Sequence, residues 1–241
     1  METSTTEDAL LGGRVRLLQP KRGYRVAVDA VLLAAATEAA PDDSVLDLGA
    51  GVGAVGLCLA IRVPGCQVTG IELQPALAAL AERNAHDNGL SGRVRTIVHD
   101  IAQPLPAGIG PFDRVVTNPP YLAAAVADPS PDMSKALATV ESSADLARWL
   151  SVATGALKPA GTLTIVHRSD RLDEIVAHLV RLGWGDLAIK RLPPAARVLI
   201  CARRGTASTV HNSPPLTLHR PKGGYTEEAE AILRNLGAIA F

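Results

Sequence analysis

Asn118-Pro119-Pro120-Tyr121 is the stretch of this 241-residue chain whose residue types are best suited to chemistry. Two consecutive prolines remove two N–H donors and stiffen the backbone. The carbonyls and the Asn118 amide oxygen are left as fixed acceptors. Two of them, the Asn118 side chain and the Pro119 carbonyl, can take both hydrogens of an NH2 group whose lone pair is delocalised. They draw it out of plane and favour the charge that develops as the nitrogen reacts, by positioning and electrostatics alone. Tyr121, one of three tyrosines, adds a ring on which a planar base can stack, worth about 1–3 kcal/mol by analogy with single-strand binders. Read alone, Asn-Pro-Pro is equally an ordinary turn. Its place at the end of an apolar run, Asp113–Asn118, argues for acceptors facing a ligand.

A second constellation lies upstream. Val45-Leu46-Asp47-Leu48-Gly49-Ala50-Gly51-Val52-Gly53 reads as a strand that ends in a glycine loop and opens a helix. Glycines let the backbone turn sharply and approach a ligand closely. Gly51 to Gly56 also fits the GxGxxG fingerprint, with Glu72 at nearly the interval a dinucleotide site requires. Asp47 argues against that reading, because a pyrophosphate would lie against this loop and the helix N-terminus. A carboxylate four residues before Gly51 repels a pyrophosphate and suits a ligand that brings an ammonium group, as S-adenosylmethionine does. Glu72 ends the next strand, and Asp100 and Ile101 follow the third. The alternative for all three acids is that they cap the helices that follow them.

These groups need a scaffold, and the chain supplies one by alternation. Short β-branched runs at Ser44–Leu48, Gln67–Glu72, Val94–His99, Asp113–Asn118 and Thr162–His167 predict strands. Helical patterns at Gly53–Arg62, Pro75–Asn88, Ser142–Leu157 and Arg171–Leu182 lie between or after them. Such alternation implies a parallel sheet covered on both faces. Gly185–Arg191 and Arg197–Arg203, separated by Leu192-Pro193-Pro194-Ala195-Ala196, read as an antiparallel hairpin closing one edge. The expected fold is α/β, with a seven-stranded, mostly parallel sheet and a ligand at the carboxyl ends where the strand order reverses. Residues 1–28 form a ribbon and lead-in segment, residues 29–204 the main domain, and residues 205–241 a loop and a helix packed on it. That last helix is capped by Thr226, with Glu227 and Glu228 in its first turn. A helix is expected at Asp29–Glu38, and the Ser/Thr/Pro-rich residues 205–217 are expected to be loop.

Asp47 with its glycines resembles motif I of the Rossmann-like methyltransferases, and Asn118-Pro119-Pro120-Tyr121 matches the [Asn/Asp/Ser]-Pro-Pro-[Tyr/Phe] motif of amino-group methyltransferases. That motif serves the exocyclic amines of adenine, cytosine and guanine and the side-chain amide of glutamine. The lead-in run Gln19-Pro20-Lys21-Arg22-Gly23-Tyr24-Arg25, followed by Asp29 and an apolar helix, resembles the bacterial tRNA adenine-N6 methyltransferases that modify the adenine next to the anticodon of a valine tRNA. The resemblance extends to Gly223-Gly224-Tyr225-Thr226-Glu227-Glu228 and so covers most of the chain. It implies S-adenosylmethionine as cofactor, held by Asp29, Asp47, Gly49, Gly51, Gly53, Glu72, Asp100, Ile101 and Asn118, with Glu72 accepting from the ribose hydroxyls, Asp100 from the adenine amine, and Ile101 covering the ring. It implies a catalytic role for Asn118, Pro119 and Tyr121, and base contact by Pro120 and Tyr121. The family's small residues before the lead-in helix are here the bulkier Val26-Ala27-Val28. Asp29 is then either a partner of the methionine group at one remove or the cap of its helix. Rival readings are the same chemistry on an rRNA guanine amine or a protein glutamine, a nicotinamide-dependent oxidoreductase, and an RNA-binding module without activity. The short N-terminal ribbon counts against glutamine methyltransferases, which carry a sizeable helical N-terminal domain. DNA adenine methyltransferases need a large target-recognition insertion, and none is evident.

Composition narrows the rest. Hydrophobic types at 47% and charged types at 20% exclude a disordered chain, and aromatics at 3% leave Ala, Leu and Val to build the core. Lys+Arg 24 against Asp+Glu 24 cancel over the whole chain. Residues 186–241, however, hold eight basic and four acidic side chains, a local excess that could meet a polyanion. Lys21, Arg22, Arg25, Arg203, Arg204, Arg220 and Lys222 are candidate phosphate contacts on tRNA; surface solvation is the alternative for each. Cys58, Cys66 and Cys201 form no CxxC, the acidic N-terminus is no signal peptide, and no run is long enough to span a bilayer, so the cytoplasm is expected. The six histidines have no metal-ligand spacing and need no function. Trp149 and Trp184 are expected in the core or an interface. Monomer and homodimer are both compatible with the sequence.

Overall fold

The computed structural model describes residues 4–23, 25–121, 136, 141, 143–205 and 209–241. Tyr24 and Ser142, landmarks of the lead-in run and of a helix start above, lie outside the described residues. Thr5–Leu10 (β1) and Val15–Pro20 (β2) form an antiparallel ribbon, and Val28–Ala36 (α1) follows. Then come Ser44–Leu48 (β3), Ala54–Arg62 (α2), Gln67–Glu72 (β4), Pro75–Asp87 (α3), Val94–Val98 (β5) and Phe112–Thr117 (β6). The chain continues through Leu146–Ala156 (α4), Leu157–Arg168 (β7), Leu172–Arg181 (α5), Trp184–Arg191 (β8), Arg197–Arg204 (β9), Val210–Asn212 (β10) and Glu227–Arg234 (α6).

The sheet runs β10-β8-β9-β7-β6-β3-β4-β5. Strands β5, β4, β3, β6 and β7 are parallel, and β9 returns antiparallel to both β7 and β8. The seven expected strands are therefore joined by an eighth. Strand β10 lies inside the segment expected to be loop, pairing in parallel with β8 through Val210↔Leu187 and Asn212↔Ile189. All three of its residues are exposed, so backbone pairing to an open edge makes the strand, and no side-chain alternation announces it.

Alternation along the central strands sends side chains into two cores. Val45, Val116 and Val166 pack on one face with α1, α2 and α6; Leu46, Leu48, Val115, Leu163 and Ile165 pack on the other with α4 and α5. Trp184 is fully buried in the second core, with its indole N–H donated to Thr154 Oγ1 at 2.8 Å. Thr226 caps α6 as expected, its hydroxyl accepting from the Ala229 N–H at 3.1 Å. Asp145 caps α4, accepting from the Arg148 N–H at 2.8 Å. Asp29 does not cap α1: the N-cap is Ala27, with no side-chain bond.

The ribbon is fastened to α3 by two asparagines. Asn84, fully buried, accepts from Leu18 N–H and donates to the carbonyls of Leu18 and Val52. Asn88 does the same for both backbone groups of Arg16. Among the described residues no helix is long and apolar enough to cross a membrane.

Candidate active site

Strand order reverses between β3 and β6, since the chain leaves β3 toward β4 and β5 and then crosses back to β6. At that point, on the carboxyl side of the sheet, a cleft opens. Its walls are Gly49 to Val52 after β3, Glu72 to Gln74 after β4, His99 to Ile101 after β5, and Asn118 and Pro120 after β6. Val26 from the lead-in segment, Ala30 from α1 and Trp149 from α4 add to it. The reversal thus gathers the ends of four strands around one space, where doubly wound sheets bind ligands.

The glycine loop has its expected shape. Gly49 and Ala50 both donate their N–H to the Ile71 carbonyl, at 2.9 and 3.0 Å, bending the chain sharply off β3. Gly49 sits at φ +78°, and a Cβ there would lie 2.6 Å from Trp149 Cη2. The indole therefore sets this requirement as firmly as any ligand does. Gly51, at φ +57°, has nothing among the described residues within 4 Å of its missing Cβ, which leaves room on that face of the loop for a bound molecule.

The four acids divide by depth. Asp47 lies beneath the loop, only 2% exposed, and its Oδ2 has no hydrogen-bond partner among the described residues. Burial and the neighbouring Glu72 push its carboxyl up to about 7. Glu72 is in the cleft wall itself, one oxygen taking the Gly51 N–H and the other the Gln74 N–H, each at 2.8 Å. Desolvation raises its pKa, against the hydrogen bonds from Gln74 and Gly51. Each oxygen keeps a lone pair for a further donor. Asp100 Oδ1 accepts from the Ala102 N–H and the Ser143 hydroxyl, both at 2.9 Å, while buried Ile101 lies beside it in the wall. Asp29 is absent from the wall and accepts instead from the Tyr121 hydroxyl at 2.9 Å.

Thr117 donates its hydroxyl to the Leu48 carbonyl at 2.9 Å, tying the end of β6 to the end of β3. That bond sets Asn118 beside the glycine loop. Asn118 and Pro120 are half-buried in the wall, Pro119 is buried, and Tyr121 is half-buried outside the lining. The Asn118 amide oxygen lies out of solvent.

Three residues carry more than the sequence suggests. Trp149 and His99 line the cleft, and buried His167 meets the Tyr121 ring edge-on with centroids 5.2 Å apart. The close approach of Trp149 to Gly49, which leaves no room for a Cβ, is the link that spacing alone does not reveal.

The basic candidates also separate. Arg25 is committed to the ribbon, donating to Thr6 Oγ1, the Pro20 carbonyl and Asp8 Oδ2. Arg204 donates to the carbonyls of Thr154 and Leu157, and Arg203 faces Asp186 at 3.8 Å. Lys21, Arg22, Arg220 and Lys222 are exposed. The last two sit in a turn closed by Arg220 N–H to Gly224 carbonyl at 3.0 Å, with His219 and Tyr225 rings 4.9 Å apart at its base. The segment leading into that turn is bonded to the β8–β9 hairpin tip, by Leu216 N–H to Arg191 carbonyl and Leu218 N–H to Pro193 carbonyl. The tip stands at the carboxyl end of β7, where Arg168 pairs with Arg197. Among the described residues no His, Cys, Asp and Glu cluster is placed to hold a metal.

The residues present fit S-adenosylmethionine. The buried Asp47 carboxyl, whose Oδ2 has no hydrogen-bond partner among the described residues, suits a cationic group. Glu72 and Asp100 offer acceptors, Ile101 a hydrophobic cover, and Gly51 an open backbone face. Comparison with known proteins points the same way. The family model of the methyltransferase small domain matches residues 25–176. A tRNA1(Val) (adenine(37)-N6)-methyltransferase of Porphyromonas gingivalis is 32% identical over 218 residues, covering 85% of each chain. A release factor glutamine methyltransferase of Deinococcus radiodurans is 38% identical, but over 58% of this chain and 51% of its own. Among solved structures, a predicted O-methyltransferase of Agrobacterium tumefaciens superposes with a TM-score of 0.71 at 25% identity, covering 88% of this chain and 98% of its own. The GxGxxG loop thus serves methyl transfer, not hydride transfer, and the chain belongs to the methyltransferase small-domain family of S-adenosylmethionine-dependent methyltransferases, on the branch of the tRNA1(Val) (adenine(37)-N6)-methyltransferases.

Proposed function

We propose that this enzyme methylates the exocyclic N6 amine of an adenine in tRNA, the adenine at position 37 of a valine tRNA, in the cytoplasm. The observation that carries the reading is the meeting, in one cleft, of the Gly49–Gly51 loop, Glu72 and Asp100 with Asn118 and Pro120 at the end of β6. Asp47, Glu72, Asp100 and Ile101 hold the cofactor, which supplies an electrophilic methyl on a sulfonium sulfur. The Asn118 amide oxygen and the Pro119 carbonyl accept the two hydrogens of the target NH2 and orient its lone pair toward that methyl. The nitrogen would gain the methyl as the methyl carbon–sulfur bond breaks, the electron pair staying on sulfur as a neutral thioether, and the surplus proton would leave the nitrogen to solvent. Because the amide oxygen is out of solvent, the target amine reaches it only by displacing its cover or turning the amide. An anticodon-loop adenine is already nearly unstacked, so little energy is spent extruding it.

Lys21, Arg22, Arg220 and Lys222 remain as phosphate contacts, the last two near the carboxyl rim that carries the Asn118 loop. The Deinococcus relative favours a second reading, with a protein glutamine as acceptor. Incubation with bulk tRNA, release factors and a labelled methyl donor separates the two. N6-methyladenosine in the tRNA nucleosides supports the proposal. Label on the release factor alone refutes it, and N2-methylguanosine from added rRNA would assign the other nucleic-acid acceptor.

A further inference from the structure

Three side chains that do not line the cleft converge on Tyr121. Its hydroxyl donates to Asp29 Oδ2 at 2.9 Å, and Arg197 Nε donates to the same oxygen at 3.3 Å. The Arg197 guanidinium carbon lies over the ring, 4.3 Å from its centroid. His167 meets the ring at 77°, nearly perpendicular. Asp29 comes from the first turn of α1, His167 from the end of β7 and Arg197 from the start of β9. Asp29 is 13% exposed and Arg197 28%, so the ion pair is partly shielded from water. Burial and the Arg171 charge lower the His167 pKa to about 4, so the imidazole packs against the phenol as a neutral ring at physiological pH.

A phenol anchored at its oxygen, covered on one face and braced by a perpendicular ring has little freedom to shift or tilt. Pro119 and Pro120 fix two φ angles between Asn118 and Tyr121. Holding Tyr121 therefore also holds the Pro119 carbonyl and the backbone of Asn118. We propose that Asp29 and Arg197 are positioning residues that clamp Tyr121 and, through the two prolines, keep the Asn118–Pro119 acceptor pair aligned with the target amine. The inference rests on the assignment of those acceptors above. It also changes what Tyr121 offers a base: the face under Arg197 is taken, so at most the other face is left for stacking.

Three variants test the clamp. Tyr121→Phe removes the hydroxyl and keeps the ring, Asp29→Asn keeps an oxygen acceptor and removes the charge that holds Arg197, and Arg197→Gln removes the cation. Each should lower kcat by roughly tenfold or more, since small misplacements of reacting groups cost up to about a hundredfold. KM for RNA and calorimetric affinity for S-adenosylmethionine should stay within about twofold of wild type. Joining Tyr121→Phe to Asp29→Asn should cost less than the sum of the two single effects, because Tyr121 and Arg197 are held by one Asp29 oxygen. Unchanged kcat overturns the proposal. So does a raised KM for Arg197→Gln with kcat intact and a shallower salt dependence, which would make Arg197 a phosphate contact.

A second readout needs neither substrate nor turnover. With three tyrosines in the chain, carbon-13 tyrosine labelling gives few ring signals, and Tyr121→Phe identifies one. Arg197→Gln should shift that signal and quicken the ring flip; an unmoved signal refutes the clamp whatever the acceptor. A shifted signal in an enzyme that leaves RNA unmethylated would uphold the clamp and refute the proposed substrate.

Discussion

Asp47→Asn should stabilise the empty protein while weakening its hold on the methyl donor, and the size of the first effect follows from burial. The carboxyl is pushed from 3.8 to about 7 by desolvation and by Glu72. At about 1.4 kcal/mol per pH unit, ionising it inside the fold costs on the order of 4 kcal/mol as an upper bound. The direction is fixed by proton counting. Below pH 3.8 the group is protonated in both the folded and the unfolded chain, and its full contribution to stability is present. Between 3.8 and 7 the unfolded chain gives up the proton and the fold retains it, so stability falls as pH rises. Above 7 the whole cost is felt. The amide never ionises, so thermal melts of wild type and variant should coincide near pH 4 and diverge toward pH 8. For a chain of this length the variant should then lead by up to about 10 °C. Titration calorimetry supplies the other half. A ligand bearing an ammonium group binds the ionised carboxylate, so wild-type affinity should drop about tenfold from pH 8 to pH 6, the range that spans a pKa of about 7. Asp47→Asn should bind more weakly and lack this slope. A variant that melts below wild type at pH 8 would show Asp47 to be ionised and already paired, and the cofactor argument would fail with it.

Asn118→Ala should keep calorimetric affinity for S-adenosylmethionine while losing about a hundredfold or more in kcat, as removal of a transition-state hydrogen-bond acceptor does; nucleoside mass spectrometry on tRNA measures it. Arg220→Ala with Lys222→Ala should weaken tRNA binding and flatten the slope of log K against log salt by about 0.7 per lost contact, with cofactor affinity unchanged; filter binding at several salt concentrations decides it. Gly49→Ala drives a methyl to 2.6 Å from Trp149 at φ +78°. It should lose about 1–3 kcal/mol in denaturant melts and blunt cofactor binding together with stability.

What could be read in the residues and what could not divides along range. Strands β3 and β4 fall on the expected residues, and the ribbon, the hairpin and the Thr226 cap stand where local pattern puts them, because each is specified within a few neighbours. Strand β10 was not legible, since Val210-His211-Asn212 carries no apolar alternation and exists only because β8 leaves an open edge. The contacts of Asp29 were equally hidden: its partners Tyr121 and Arg197 are 92 and 168 residues away. Arg25 and Arg204 have the same charge as Lys21 and Lys222, yet backbone carbonyls and Asp8 claim them. Charge composition cannot make that distinction. The need for glycine at Gly49 is only partly visible in the local pattern, since the indole that forbids a side chain there comes from α4.

Asn84 is one amide that holds both the N-terminal strand pair and the turn at Val52. Removing the ribbon would take from this fully buried side chain both of its Leu18 bonds and leave its amide oxygen and one N–H to be satisfied another way, beside the turn that borders the cleft.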